Sequence, residues 1–289
     1  MNTRVIPSRN FPDNFVNHLQ ALAQDRATDT ALIVLNASGD EWIEKRLDYV
    51  TLDLRVKAFS AILQQRLKQG ERALLLMEND EHYVVGFLAC LYAGVIAVPV
   101  FPPESMREQH LARLHAIAKD AAAQCIITTS EILPLIGNTV IAHLTGADIL
   151  TVDTVEKDHA QQWLSSTPQP DDIAFLQYTS GSTSTPKGVM VTHHNLMVNA
   201  RAFEEGMSIG ADDIFVSWLP LYHDMGLIGG LLQPLHRGIP VILMTPGFFI
   251  ERPVRWLEVI SRYRGTVSGA PYFAFRFCVE RVRTSQLQW

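Results

Sequence analysis

Short, continuously apolar runs alternate with longer segments whose apolar residues recur every three or four positions, and this alternation constrains the fold more than any other feature. ALIVLN (31–36), ALLLME (73–78), VIAVPV (95–100) and QCIITT (124–129) read as strands. Between them, TLDLRVKAFSAILQQRL (51–67), EHYVVGFLACLYAG (81–94) and MREQHLARLHAIAKDA (106–121) read as helices. In the first helix Leu52, Val56, Phe59, Leu63 and Leu67 share one face, Thr51 is placed to cap the first turn, and Gly70 lies in the loop that ends it. Strands without alternating polar positions are buried on both faces. The pattern therefore predicts an α/β fold of mostly parallel sheets flanked by helices, with right-handed crossovers.

SSTPQPDD (165–172), rich in Pro, Ser and Asp, interrupts the pattern, which then resumes. Strands are expected in IAFLQYTS (173–180), DIFVSWLP (213–220) and IPVILM (239–244), and helices over 193–207, 253–264 and 271–283. This predicts two similar α/β subdomains, 1–168 and 169–289. The chain stops at Trp289 without a terminating element, so the second is expected to be incomplete.

Several functional classes are excluded. Lys and Arg total 24 against 30 Asp and Glu, and no basic cluster interleaves with aromatics, so a nucleic-acid partner is not expected. The longest apolar stretch, VVGFLACLYAGVIAVPV, is broken by Gly94 and Pro99, which argues against membrane insertion. The N-terminus has no secretory apolar core, and Cys90, Cys125 and Cys278 are scattered without a disulfide framework, so a cytoplasmic protein with buried thiols is expected. His193 and His194 are neighbours on a helix and point apart, with no set of ligands around them. They are read as helix-start or solvent-facing residues, and no metal site is assigned.

The chemistry concentrates in Y178-T-S-G-S-T-S-T-P-K-G-V-M190. Every residue from Thr179 to Thr185 except Gly181 is Ser or Thr, and Lys187 and Gly188 close the segment. Backbone N–H groups, dense hydroxyls and a mobile cation suit a polyphosphate. The loop follows a buried strand, and ligand sites in α/β sheets lie beyond strand carboxyl ends. It is not a Walker A loop, because Lys187 is followed by Gly188 where that pattern needs Ser or Thr. A flexible Ser/Thr-rich turn is the bland alternative.

YTSGSTSTPKG closely resembles the phosphate-binding signature of the acyl-adenylate-forming superfamily, which includes acyl-CoA synthetases, peptide synthetase adenylation domains and luciferase-like enzymes. Ser184 stands where glycine is usual, a departure also met in the fatty acyl-AMP ligase branch. S217-W-L-P-L-Y-H-D-M-G-L-I-G229 is similar to the ligases' second motif. S268-G-A-P-Y-F-A-F275 resembles their Ser-Gly-Ala-Pro-Asn-Phe segment, with Tyr272 in place of the asparagine. The three segments occur in the family's order and approximate spacing, and the fold implied is the front of that superfamily's large N-terminal domain.

By this resemblance Thr179, Ser180, Gly181, Ser182, Thr183 and Lys187 contact the β- and γ-phosphates of ATP. Thr185 and Pro186 give shape, and Gly188 lets the chain turn back. His223 lies at the carboxylate and α-phosphate, with Lys187 and His223 as the catalytic pair, while Asp224 fixes the local backbone or tautomer. Trp218, His223, Met225, Gly226, Ile228, Gly269, Ala270 and Pro271 form the acid-binding side, and Trp218, Tyr222, Phe273 and Phe275 frame its mouth. Each methylene sequestered in an acyl tunnel contributes about 0.8 kcal/mol, which favours long acids.

The implied reaction activates a medium- or long-chain fatty acid to acyl-AMP with ATP and Mg²⁺, for transfer to an acyl carrier protein or a polyketide synthase. A fatty acyl-CoA synthetase and a non-catalytic acyl- or nucleotide-binding module are the alternatives. The family's Mg²⁺-binding glutamate, ribose-binding aspartate, hinge, small C-terminal domain and the insertion that separates these ligases from coenzyme A ligases match nothing in the sequence. The 289 residues alone are therefore not expected to turn over.

Overall fold

Eleven described strands fall into two sheets that exchange chain across the expected boundary. The computed structural model describes residues 14–39, 41–101, 108–136, 147–179 and 186–287. In chain order the strands are β1 (Thr30–Ser38), β2 (Glu41–Asp48), β3 (Arg72–Leu75), β4 (Ile96–Pro99), β5 (Cys125–Thr128), β6 (Asp148–Thr151), β7 (Ile173–Thr179), β8 (Lys187–Thr192), β9 (Phe215–Ser217), β10 (Val241–Met244) and β11 (Val267–Ser268). The first sheet runs β11-β9-β10-β1-β2 and the second β6-β5-β3-β4-β7-β8. All neighbours pair in parallel except the edge pairs β1–β2 and β7–β8. A division at 168/169 therefore does not separate the sheets: β1 and β2 join later strands, and β7 and β8 complete the earlier sheet. The α/β class stands, with mixed edges.

Alternation along each buried strand builds the layers. Ala73 and Leu75 of β3 belong to a core shared with Leu32 and Val34 of β1, and with helices α1 (Phe15–Asp25), α2 (Tyr49–Arg66) and α3 (Glu81–Ala93). Leu74 and Leu76 face the opposite way, against Leu114, Ile117 and Ala118 of α4 (Glu108–Asp120). Ile33 and Leu35 of β1 likewise face Phe248, Phe249, Trp256 and Val259 on the outer side of the first sheet. The period of two thus sorts one strand's side chains into two cores.

Helix α3 runs in the shared core, and of its 13 residues only His82 is not buried. Gly86 lets it approach the second sheet: a Cβ there would lie 2.9 Å from Met77 Cε and 3.3 Å from Val152 Cγ2. Asp80 caps its first turn by accepting from His82 N and Tyr83 N, and Gly94, at φ 69°, ends it. Ser60 of α2 donates to the Ala89 carbonyl of α3, 3.1 Å away, and Tyr92 donates to Asp53 at 3.0 Å.

One local expectation is corrected and another is met. Helix α2 starts at Tyr49, so Asp48 caps it by accepting from Thr51 N at 2.8 Å, and Thr51 is not the cap. His193 and His194 do stand at a helix start, that of α5 (His193–Met207), and of the two only His194 is exposed; burial pulls the His193 imidazole down to about 4, so it is neutral in the core. Cys90 and Cys125 are buried free thiols, and Cys278 is half-buried.

Replacing Asp48 by alanine is expected to cost about 1 kcal/mol in urea unfolding at pH 7. The Thr51 hydrogen bond holds the Asp48 carboxyl below its ordinary value of 3.8. Its contribution is therefore complete above that value and is lost as pH falls through the lower folded-state pKa, so wild type and variant should converge in strong acid.

Candidate active site

The carboxyl ends of both sheets converge on residues 218–224. Asn79, just past the end of β3, is 3% exposed and reaches across to the first sheet. Its Nδ2 donates to Leu219 O at 2.7 Å and to Met244 O at 3.5 Å, and its Oδ1 accepts from Leu221 N at 2.9 Å. Tyr83 donates its hydroxyl to Leu221 O at 2.9 Å. Gln177 of β7 donates to Tyr222 O at 3.0 Å. Three side chains of the second sheet and its helix thus fix the main chain on which His223 follows.

His223 itself is exposed. Its Nδ1 lies 2.6 Å from Asp224 Oδ1, and Asp224 also accepts from Met225 N at 2.7 Å. Nδ1 also accepts from Met225 N at 3.4 Å, so it lies within reach of both groups of this turn.

Past Asp224 the chain forms a π-helical segment, Met225–Leu232. Two glycines permit it. A Cβ on Gly226 would sit 2.1 Å from Pro220 O, and one on Gly230 would sit 2.6 Å from Ser217 Oγ. Such wide turns recur at functional sites. Met225 is 41% exposed, and Ile228 is half-buried against the shared core. A Cβ on Gly269 would lie 3.7 Å from Met225 Cε, so the expected acid-binding residues of the two segments do adjoin. Ser268 accepts from Trp256 Nε1 at 3.0 Å and donates to Val216 O at 2.7 Å. Ala270 packs against the outer core of the first sheet, and Pro271 leads into helix Tyr272–Arg281.

Trp218 sits elsewhere than at an open mouth. It is 2% exposed and stacks on Phe249 at 4.1 Å, with Trp256 and Phe273 edge-on. Phe273 and Phe275 are exposed, and Tyr222 meets Phe101 edge-on at 6.5 Å.

The hydroxyl-rich loop rises from the antiparallel pair β7–β8. Tyr178 pairs with Gly188 and Thr179 with Lys187, so both loop ends stand together at the carboxyl end of β7. Both Thr179 and Lys187 are exposed. Tyr178 is anchored to Asp120 at 2.6 Å, and a Cβ on Gly188 would come within 2.9 Å of its ring. Close passage over that ring is the requirement that Gly188 meets. Ser180, Gly181, Ser182 and Thr183, and with them Thr185, lie outside the described residues.

Among the described residues Asp80, Glu81 and His82 bring three possible metal-ligand atoms together. All are engaged: Asp80 caps α3, Glu81 pairs with Lys45, and His82 lies between Glu81 and Arg55. No ligand set is assigned to them.

Asn79, Tyr83 and Gln177 were not singled out from sequence. Gln177 carried a signal, being the polar residue inside the buried run IAFLQY. Its Oε1 is buried without a partner among the described residues.

A family model described as "AMP-binding enzyme" matches residues 19–288. A medium-chain-fatty-acid–[acyl-carrier-protein] ligase of Moorena producens is 41% identical over 83% of this chain and 41% of its own length. A long-chain-fatty-acid–AMP ligase of Mycolicibacterium smegmatis is 36% identical over 94% of this chain and 44% of its own. The crystal structure of the fatty acyl-adenylate ligase from Legionella pneumophila, in complex with acyl adenylate and pyrophosphate, superposes with TM-score 0.88 at 34% identity, over 96% of this chain and 47% of that one. The chain spans less than half the length of these relatives.

Asn79→Leu leaves the Leu219 carbonyl and Leu221 N–H buried without partners and is expected to cost about 3 kcal/mol, whereas Tyr83→Phe should cost about 1 kcal/mol. Guanidinium unfolding curves of the two variants check both the size and the order.

Proposed function

The chain belongs to the AMP-binding enzyme family, and from that premise we propose that it serves ATP-dependent activation of a medium- or long-chain fatty acid to fatty acyl-AMP. The observation that carries the reading is the pairing of Thr179 with Lys187 at the base of the hydroxyl-rich loop, on the strand whose Gln177 holds Tyr222 beside His223. One strand thus bears both the loop read as polyphosphate-binding and the tie to the main chain before an exposed imidazole.

In the proposed step a carboxylate oxygen attacks the α-phosphorus of ATP. An O–P bond forms, the bond to the bridging oxygen breaks, and pyrophosphate leaves with the electron pair. The barrier is mostly electrostatic, since an anion approaches a polyanion. Lys187 and the donors of Thr179, Ser180, Gly181, Ser182 and Thr183 would hold the β- and γ-phosphates, and His223 Nε2 would orient the carboxylate and α-phosphate oxygens. The donor set fits ATP: it offers hydroxyls, main-chain N–H groups and a cation. Mg²⁺ would arrive with ATP and neutralise phosphate charge. Asp224, the carboxylate beside His223, is taken up by His223 and Met225, so no Mg²⁺ ligand is named. Met225, Gly226, Ile228, Gly269, Ala270 and Pro271 would receive the acid, with the buried Trp218 backing them.

The acceptor proposed is the phosphopantetheine thiol of an acyl carrier protein, free or within a polyketide synthase. The Moorena relative's name supports the carrier, and a cytoplasmic location is proposed with it because ATP is available there. No helix among the described residues is long and apolar enough to cross a membrane.

The test is mass spectrometry of products from the polypeptide that carries this sequence, given ATP, Mg²⁺, dodecanoate and coenzyme A. Dodecanoyl-AMP without thioester is expected; dodecanoyl-CoA would move the assignment to the synthetase branch, and no adenylate at all would leave a binding module. Lys187→Ala and His223→Ala should each lower adenylate formation about 100-fold or more.

A further inference from the structure

Of the three side chains that tie the second sheet and its helix to the segment before His223, Gln177 alone reaches the peptide plane in which His223 takes part. A peptide group is planar, so the Tyr222 carbonyl and the His223 N–H move as one unit. Gln177 Nε2 donates to Tyr222 O at 3.0 Å, and His223 N donates to Pro220 O at 3.1 Å. The plane is thereby held at both edges, by one bond from β7 and one from its own turn. Asn79 and Tyr83 act earlier, on Leu219 and Leu221.

Energetics also set Gln177 apart. The side chain is 7% exposed, and its Oε1 is buried without a partner among the described residues. A made hydrogen bond contributes less, net, than a buried unpaired acceptor costs. The amide therefore returns no stability that an apolar side chain of the same length would not. Tyr222 is half-buried, so its carbonyl would turn toward water if released, and the plane it shares with His223 would turn with it.

Strand β7 sets the spacing. Gln177 and Thr179 lie on one face of it, two residues and about 7 Å apart, and Lys187 is paired opposite Thr179. The base of the hydroxyl-rich loop and the tie to the His223 plane thus stand on one spacer.

We propose that Gln177 is a positioning residue for the adenylation step. Its amide N–H holds the Tyr222–His223 peptide so that the imidazole meets the carboxylate and the α-phosphate while the loop grips the rest of the polyphosphate. Gln177 touches no substrate, and no bond is made or broken on it. This role rests on the function proposed above.

The test uses the polypeptide that carries this sequence, with ATP, Mg²⁺ and dodecanoate, and follows pyrophosphate release. Gln177→Met removes the donor and keeps the length. It is expected to lower kcat about tenfold, with KM for ATP within about twofold of wild type and a urea midpoint no lower. Gln177→Glu supplies a titratable donor instead. Burial raises a carboxyl's pKa, so at low pH the protonated group donates to Tyr222 O and turnover approaches that of wild type. As pH rises through that pKa the donor is lost, and the ratio of variant to wild-type kcat should fall about tenfold; the ratio cancels ionisations common to both proteins. An unchanged kcat in Gln177→Met, a fall in kcat accompanied by a lower urea midpoint, or a Gln177→Glu ratio flat in pH would overturn the role and leave adenylation standing. No adenylate from wild type would sink both.

Discussion

One buried amide joins the two sheets. Asn79 spends its donors and its acceptor on the main chain at Leu219, Leu221 and Met244, all at carboxyl ends of the opposite sheet. A carboxamide suits this task because it donates and accepts at once and carries no charge to desolvate. The burial of α3 depends on the same junction. That helix begins two residues after Asn79, at Glu81, and Tyr83 on its first turn adds the bond to Leu221 O.

From this junction the proposed chemistry inherits its geometry. Main-chain groups of residues 219–222 are held from three directions, which turns the following His223 outward. Gly226 and Gly230 then let the chain close into a π-helical turn against Pro220 and Ser217. An apolar side chain at either position would have to displace main chain or a buried hydroxyl. The same economy operates at the loop base, where Gly188 passes over the ring of Tyr178. Anchored ends that carry an exposed threonine and lysine are a frame on which the proposed phosphate donors would be preorganised.

Much of the fold was legible because the parallel strands are buried on both faces. β4, β5 and β10 read as unbroken apolar runs and are buried throughout. β2 and β8 escaped notice for the opposite reason. As edge strands they carry exposed residues such as Lys45, Arg46 and Lys187, which discourage further pairing but erase the apolar signal. The exchange of strands between sheets was illegible too, since β1 pairs with β10 across some two hundred residues and periodicity encodes no partner. At the candidate site, Lys187, His223 and the glycines stood out by their motifs. Asn79 and Tyr83 did not, because their role is to bond main chain far away in sequence, and Trp218 was misplaced because an aromatic in a motif resembles a pocket wall as much as a core ring.

The joining of the sheets through Asn79 is tested most directly by amide hydrogen exchange at Leu221, whose N–H ends on Asn79 Oδ1. Protection comparable to that of Leu74 in β3 is the result this account requires, because the amide would then open only when the sheets part. Exchange near the rate of an unstructured peptide, with β3 still protected, would show that the turn before His223 moves free of the second sheet and would contradict it.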